Sequence, residues 1–141
     1  MSWIYQGKVF DDSSIPENAV GFIYIMSAII DGKSFMYIGK KNFYSETKKA
    51  MGKKALAAVT DKRLKKYTKV KKLNYANYYS SNDVLKKAHK EGVVIKREIL
   101  RICYSATELT YYECKLQFVY EVLENDKYLN SNILGKFYKI K

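Results

Sequence analysis

The sequence predicts a small α/β domain with an antiparallel sheet of about three strands flanked by helices. Three observations predict it. Two stretches rich in Ile, Phe and Tyr, residues 21–30 and 33–39, meet at Asp31-Gly32, the dipeptide that best supports a two-residue hairpin turn. Residues Val93 to Tyr104 hold Val93, Ile95, Ile99 and the run Leu100 to Cys103, a third strand. Two helix-start signals, S-x-x-D at Ser80–Asp83 and S-x-x-E at Ser105–Glu108, frame that strand. A hairpin plus one strand has two apolar faces, and both need covering.

The elements follow in chain order. Residues 1–20 are a polar lead-in with strand character at Ile4 to Phe10. After the hairpin, Ser45 is a candidate N-cap for a helical stretch drawing on Ala50, Ala55 to Ala58 and Val59. The Ser80 start leads into a short helix with Val84, Leu85 and Ala88 on one face and Gly92 as its stop. The Ser105–Glu108 capping box opens a longer helix whose Leu109, Tyr112, Leu116, Val119 and Leu123 recur at steps of three and four, a core-facing stripe. One proline and seven scattered glycines mark no boundary and no repeat, so residues 1–141 are read as a single domain.

Composition excludes several classes. A chain of 141 residues with 48% hydrophobic and 15% aromatic content can bury a core, which rules out disorder. The longest apolar run, Gly21 to Ile30, is short of the ~20 residues a membrane helix needs, so no membrane association is expected. Residues Met1 to Asp12 carry no signal-like pattern, and the expected location is the cytoplasm. Cys103 and Cys114 form no C-x-x-C and have only His89 to help them, so reduced thiols are expected rather than a zinc site. His89, alone on a helix face, is given no catalytic part.

The formal charge of +12 is local. Between Lys40 and Lys72 stand thirteen Lys or Arg against only Glu46 and Asp61, which accounts for +11 of it. Phe43, Tyr44, Leu56, Val59, Leu64 and Tyr67 are interleaved, and Tyr75, Tyr78 and Tyr79 follow, a mixture suited to gripping phosphates and stacking on bases. The competing reading is a solvent-facing helix that only aids solubility. Nucleic acid is the preferred partner, with Lys40, Lys48, Lys49, Lys53, Lys54, Lys65, Lys66, Lys69, Lys71 and Lys72 as candidate contacts.

If Asp31 and Gly32 are the turn, Tyr37 lies opposite Met26 and Gly39 opposite Tyr24. Tyr24 and Tyr37 are then diagonal neighbours on one face, within roughly 7–8 Å. Gly39 leaves the surface beside Tyr24 without a side chain, where a substrate backbone could approach, and Lys41 joins the same face. Tyrosines also simply suit half-buried sheets.

Gly21-Phe22-Ile23-Tyr24 and Tyr37-Ile38-Gly39 resemble the signature of the GIY-YIG nuclease family, with Phe22 as an extra residue in the first motif. The blocks Tyr78-Tyr79-Ser80-Ser81, Ile95 to Leu100, and Tyr112-Glu113 resemble later segments of its small phage-type, free-standing homing-like members, so the resemblance covers about residues 21 to 133. It implies a metal-dependent endonuclease cutting DNA phosphodiesters, most readily in a duplex. One divalent ion, Mg²⁺ or Mn²⁺, would be held by Glu113, Glu108 being committed to the capping box. Tyr24 would be the general base or orient the water, and Tyr37 would support the phosphate and solvent network. A phenol's ordinary pKa is about 10, so a base role requires a cationic field to lower it. The family's arginine on the helix after YIG has no counterpart, since no arginine precedes Arg63. Lys41, Lys48, Lys49 and Arg63 are the candidate cations; a lysine lacks the bidentate fork. Asn130 and Asn132 stand where relatives place an asparagine near the substrate or the glutamate, the alternative for either being a turn cap. The missing arginine favours an alternative, a non-catalytic DNA- or RNA-binding module on the same scaffold. Cutting a duplex with one site requires a homodimer or two sequential nicks, and the sequence leaves both open.

Overall fold

The computed structural model describes residues 2–50 and 66–140. In chain order its strands are β1 (Trp3–Tyr5), β2 (Lys8–Phe10), β3 (Gly21–Ile30), β4 (Lys33–Asn42), β5 (Tyr44–Ala50), β6 (Lys66–Lys72), β7 (Lys96–Cys103), β8 (Asn132–Ile133) and β9 (Phe137–Tyr138). The described α-helices are α1 (Asp83–Lys90) and α2 (Ala106–Val119). The chain divides into two compact units, Met1–Phe43 with Asn74–Lys141, and Tyr44–Leu73.

The first unit is built on a five-stranded sheet in the order β2-β1-β7-β3-β4, two strands more than expected. The addition is an N-terminal hairpin whose β1 runs parallel to β7, pairing Trp3 with Arg97. Its turn is Gln6-Gly7 with φ of 50° and 78°, positive at both central residues as a type I′ turn requires. The strand character at Ile4 to Phe10 is therefore two three-residue strands and not one.

The β3–β4 hairpin has the predicted turn and register. Asp31 and Gly32 sit at φ 50° and 78°, Tyr24 pairs with Gly39 and Met26 with Tyr37. On its other side β3 pairs antiparallel with β7, and the register shifts between Ile23 and Tyr24, which face Arg101 and Ile99. Leu100 is the extra residue of that bulge, beside Tyr24.

Alternation along β3 feeds two cores. Phe22, Tyr24 and Met26 pack with Trp3, Phe43, Tyr75 and Leu85 on one side. Ile23 packs with Ile38, Leu109, Val122 and Ile133 on the other. Each such apolar side chain stabilises the fold by about 1.5–3 kcal/mol on burial. On the first side the Trp3 ring meets Phe22 at 4.9 Å and Tyr24 at 5.6 Å, while its indole N–H donates to the Tyr75 carbonyl at 2.9 Å.

Both helices form where expected, with corrections at their starts. Asn82, not Ser80, caps α1, its Oδ1 accepting from Val84 and Leu85 at 3.0 and 3.3 Å. Ser80 is buried at φ 76°, and its hydroxyl accepts from the Asn82 N–H at 3.0 Å. In α2 the Ser105 hydroxyl accepts from the Glu108 N–H at 3.0 Å, and Glu108 accepts in return from Tyr104 at 3.3 Å, one residue before the cap. The stripe is broken: Leu109 and Gln117 are buried, whereas Val119 is 60% exposed.

Two of the three tyrosines that follow the basic block have their rings covered within the fold. Tyr75 is buried in the core, the Arg97 guanidinium lies over the Tyr79 ring at 4.1 Å, and His89 stacks on that ring at 3.7 Å. Cys103 and Cys114 are free thiols, and burial pushes the Cys103 thiol up to about 11. No helix among the described residues is long and apolar enough to cross a membrane.

In the second unit β5 and β6 form an antiparallel ribbon from Tyr44↔Lys72 to Ala50↔Lys66. Residues 45–50, expected to begin a helix, are strand; the partner strand supplies Tyr67, Thr68 and Val70, residue types that fit a pleated surface. The alanine-rich support for a helix, Ala55 to Ala58, lies outside the described residues, as do Lys53, Lys54, Arg63 and Lys65.

Candidate active site

The site grows from the edge of β4. Being the outer strand of the sheet, it directs the peptide groups of Met36, Ile38 and Lys40 away from β3, and an edge left bare is a liability. The C-terminal segment takes the first group: Met36 N–H donates to Lys127 O at 2.8 Å and Leu129 N–H to Met36 O at 2.7 Å. Side chains take the second. Ile38 N–H donates to Asn130 Oδ1 at 3.1 Å, while Asn130 Nδ2 and Gln117 Nε2 donate to Ile38 O at 2.8 and 3.0 Å. The Glu113 carboxylate accepts from the third, the Lys40 N–H. Glu113 and Gln117 are i,i+4 on α2, so one helix face delivers both.

These partners enclose a cavity of about 420 Å³. Tyr37, Glu113, Gln117, Asn130, Ser81 and Asp83 are among the residues that line it. Of the two phenols expected beside the helix glutamate, Tyr37 lines this cavity with Glu113, and Tyr24 is not among its lining residues. Tyr37 is half-buried and its pKa is raised, first by burial and further by the nearby Glu113 carboxylate, while a hydrogen bond with Ser81 opposes the rise. Burial also raises the Glu113 carboxyl, with the Lys40 ammonium and N–H pulling it back.

Tyr24 is the neighbour behind this wall. It is 1% exposed, its ring centroid lies 6.3 Å from that of Tyr37, and its hydroxyl is 3.3 Å from the Tyr78 hydroxyl. Burial raises its pKa well above the ordinary tyrosine range, and the Tyr78 and Tyr37 phenols add to the rise. Desolvation is the largest influence on this phenol, opposed by a hydrogen bond with Ser80. Gly39 is also reassigned. A Cβ there would stand 2.6 Å from the Tyr24 hydroxyl and 3.0 Å from Tyr37 Cε1, so the space is filled by phenols and not left for a substrate backbone.

The candidate cations do not all belong to one unit. Lys41 lies with its ammonium 4.5 Å from the Tyr78 ring centre, burial lowering its pKa. Lys40 turns to α2 and donates to Thr110 Oγ1 at 3.1 Å. Lys48, Lys49, Lys66, Lys69, Lys71 and Lys72 belong to the ribbon. Asn130, proposed to touch nucleic acid, is buried and holds the Ile38 peptide, while Asn132 accepts from Gly135 N–H at 2.9 Å. Sequence reasoning missed Tyr78, Ser81 and Gln117. A polar residue at a core-facing step of α2 signalled Gln117; Tyr78 and Ser81 sit in a block whose resemblance to the family was noted without giving either residue a part in the site.

The family model described as "Putative endonuclease segE, GIY-YIG domain" matches residues 3–133. The chain belongs to the GIY-YIG family. No curated protein and no solved structure matches it. A GIY-YIG domain is a nuclease domain, and nucleic acid is the substrate class that goes with it. The match begins at Trp3, so it takes in the N-terminal hairpin that widens the sheet. Among the described residues no group of three or more His, Cys, Asp or Glu gathers to hold a metal. The carboxylates that line this GIY-YIG cavity are Asp83 and Glu113, a set that suits a hard ion such as Mg²⁺, which uses one or two carboxylates and keeps several waters.

Proposed function

We propose that the chain is a metal-dependent endonuclease hydrolysing DNA phosphodiester bonds, with the cavity between Tyr37 and Glu113 as its active site. The single observation that carries this reading is that shared cavity in a GIY-YIG domain. Glu113 would hold one Mg²⁺ or Mn²⁺, which when bound neutralises the phosphate and the leaving oxygen. The chain does the positioning. Asn130 and Gln117 fix the Ile38 peptide and with it the flanking Tyr37 and Gly39. The Tyr37 hydroxyl, at the cavity wall, hydrogen-bonds the attacking water or the phosphate. Tyr24, its pKa raised by burial, acts as a neutral phenol that orders this network with Tyr78 rather than as a phenolate base. Lys41 supplies the phosphate's fixed cation. Two free thiols fit a reducing compartment such as the cytoplasm.

The test is nicking of supercoiled plasmid with Mg²⁺ or Mn²⁺. Glu113→Ala and Tyr37→Phe are each expected to lower the rate by about 10²-fold or more, the scale of losing one electrostatic or positioning group. Linear product without a nicked-circle intermediate would point to a dimer, and accumulation of nicked circle to successive single cuts. DNA binding with no metal-dependent nicking would leave the non-catalytic module as the better reading.

A further inference from the structure

The ribbon of β5 and β6 carries a pattern that no part of the site explains. Each strand is seven residues long, and together they hold Lys48, Lys49, Lys66, Lys69, Lys71 and Lys72 with Glu46 as the only acid. In a ribbon stabilised for its own sake, opposite charges would face one another across the ladder. Here no lysine faces Glu46, which stands opposite Val70. Lys72 faces Tyr44, Lys71 faces Ser45, Lys69 faces Thr47, Lys48 faces Thr68 and Lys49 faces Tyr67. Five of the six lysines are therefore matched with a hydroxyl residue, and lysine with Ser, Thr or Tyr is the side-chain set that contacts nucleic-acid phosphates.

The shape narrows the partner. Two paired strands lie about 4.8 Å apart and seven residues extend about 23 Å, dimensions that enter the major groove of B-form DNA, about 12 Å wide and 8.5 Å deep. The deep, narrow major groove of an RNA duplex does not admit them. Resting on the nuclease reading for the choice of DNA over other polyanions, we infer that the ribbon of β5 and β6 is a duplex-DNA grip that docks in the major groove, with its lysines and hydroxyl residues on the flanking phosphates.

The experiment uses the full chain in EDTA, so that binding is read without cleavage. Affinity is measured for a DNA duplex, an RNA duplex and a DNA single strand of the same sequence between about 50 and 200 mM salt. Reactivity of guanine N7, a major-groove atom, is footprinted with dimethyl sulfate on the DNA duplex. At least tenfold preference for duplex DNA over duplex RNA and protection of N7 by the unmodified chain are expected. A variant with Lys48→Gln, Lys49→Gln, Lys69→Gln and Lys71→Gln should lose the protection, and its salt slope should flatten by about 3–4. A thermal melt confirms that this variant is folded, and the footprint of the unmodified chain needs no variant. Equal binding of the two duplexes, reactive N7 under the bound chain, or protection surviving in the folded variant would overturn the assignment. Metal-dependent nicking is scored separately: N7 protection without nicking defeats the nuclease reading and keeps the grip, whereas nicking with N7 reactive does the reverse.

Discussion

Gly39 is tied to its place by a collision. A methyl group there would meet the Tyr24 hydroxyl at 2.6 Å and its Cζ at 2.8 Å, and the ring cannot retreat because Trp3, Phe22 and Tyr78 pack around it at 5.6, 6.2 and 5.8 Å. Gly39→Ala is expected to cost about 1–3 kcal/mol by urea denaturation, the range for overpacking. The cost should shrink in a Tyr24→Phe background, where the nearest atom is gone; additive losses in that double-mutant cycle would refute the contact. Glu113 gives a prediction with a sign. Its carboxyl is raised by burial, so the folded chain holds that proton more tightly than the unfolded chain does. The contribution to stability is complete below the unfolded value of about 4.3 and is lost as pH rises through the raised folded value. Glu113→Gln keeps an acceptor for the Lys40 N–H and cannot ionise. It should melt above the unmodified chain at a pH of about 8 and level with it at about 4, while failing to nick DNA. A melting gap that does not change with pH would remove burial as the cause.

At the level of elements, legibility followed the range of the interactions. The β3–β4 hairpin could be read to the residue because a two-residue turn with Gly32 fixes the register locally. The β7 strand and the α2 start were likewise written in adjacent residues. The ribbon was misread because β5 owes its conformation to a partner beginning at Lys66, and no window over 45–50 contains that partner. The structural part of Asn130 was not legible for the same reason: its work on Ile38 spans 92 positions, and an asparagine looks alike in sequence whether it meets a phosphate or a peptide. Asn130→Leu, which removes both partners of a buried edge peptide, is expected to lose about 2–5 kcal/mol, the sum of two unmet groups at about 1–3 each with Gln117 retaining part of the carbonyl. Asn130→Asp would still accept from Ile38 N–H but set a carboxylate against the Ile38 carbonyl. It should be no better than Leu at neutral pH and recover in acid. Recovery of neither stability nor nicking at low pH would show that the asparagine does something other than hold this strand.

The whole molecule joins a sheet that encloses chemistry to a ribbon that concentrates charge, and the chain itself says how separable they are. The first ladder pair of the ribbon, Tyr44↔Lys72, brings the two ends of the second unit together by that unit's own hydrogen bonds. Phe43 and Asn74, the neighbouring residues of the first unit, are therefore points that a few residues can bridge. Phe43 belongs to the core, stacked near Phe10 at 5.9 Å and meeting Tyr75 at 5.2 Å, so a replacement must begin after it. Exchanging Tyr44–Leu73 for a short Gly/Ser linker should leave a cooperative melt, changed by only about 1 kcal/mol, because loop length alone enters stability weakly. The same exchange removes most of the chain's +12. Plasmid nicking by the shortened chain should then be weaker at low salt and less sensitive to salt than that of the unmodified chain, whose nicking should fall steeply towards about 0.15 M. Loss of the cooperative melt would mean that the first unit needs the ribbon to fold, and a salt dependence unchanged from that of the unmodified chain would mean that the charge block is not what brings the substrate in.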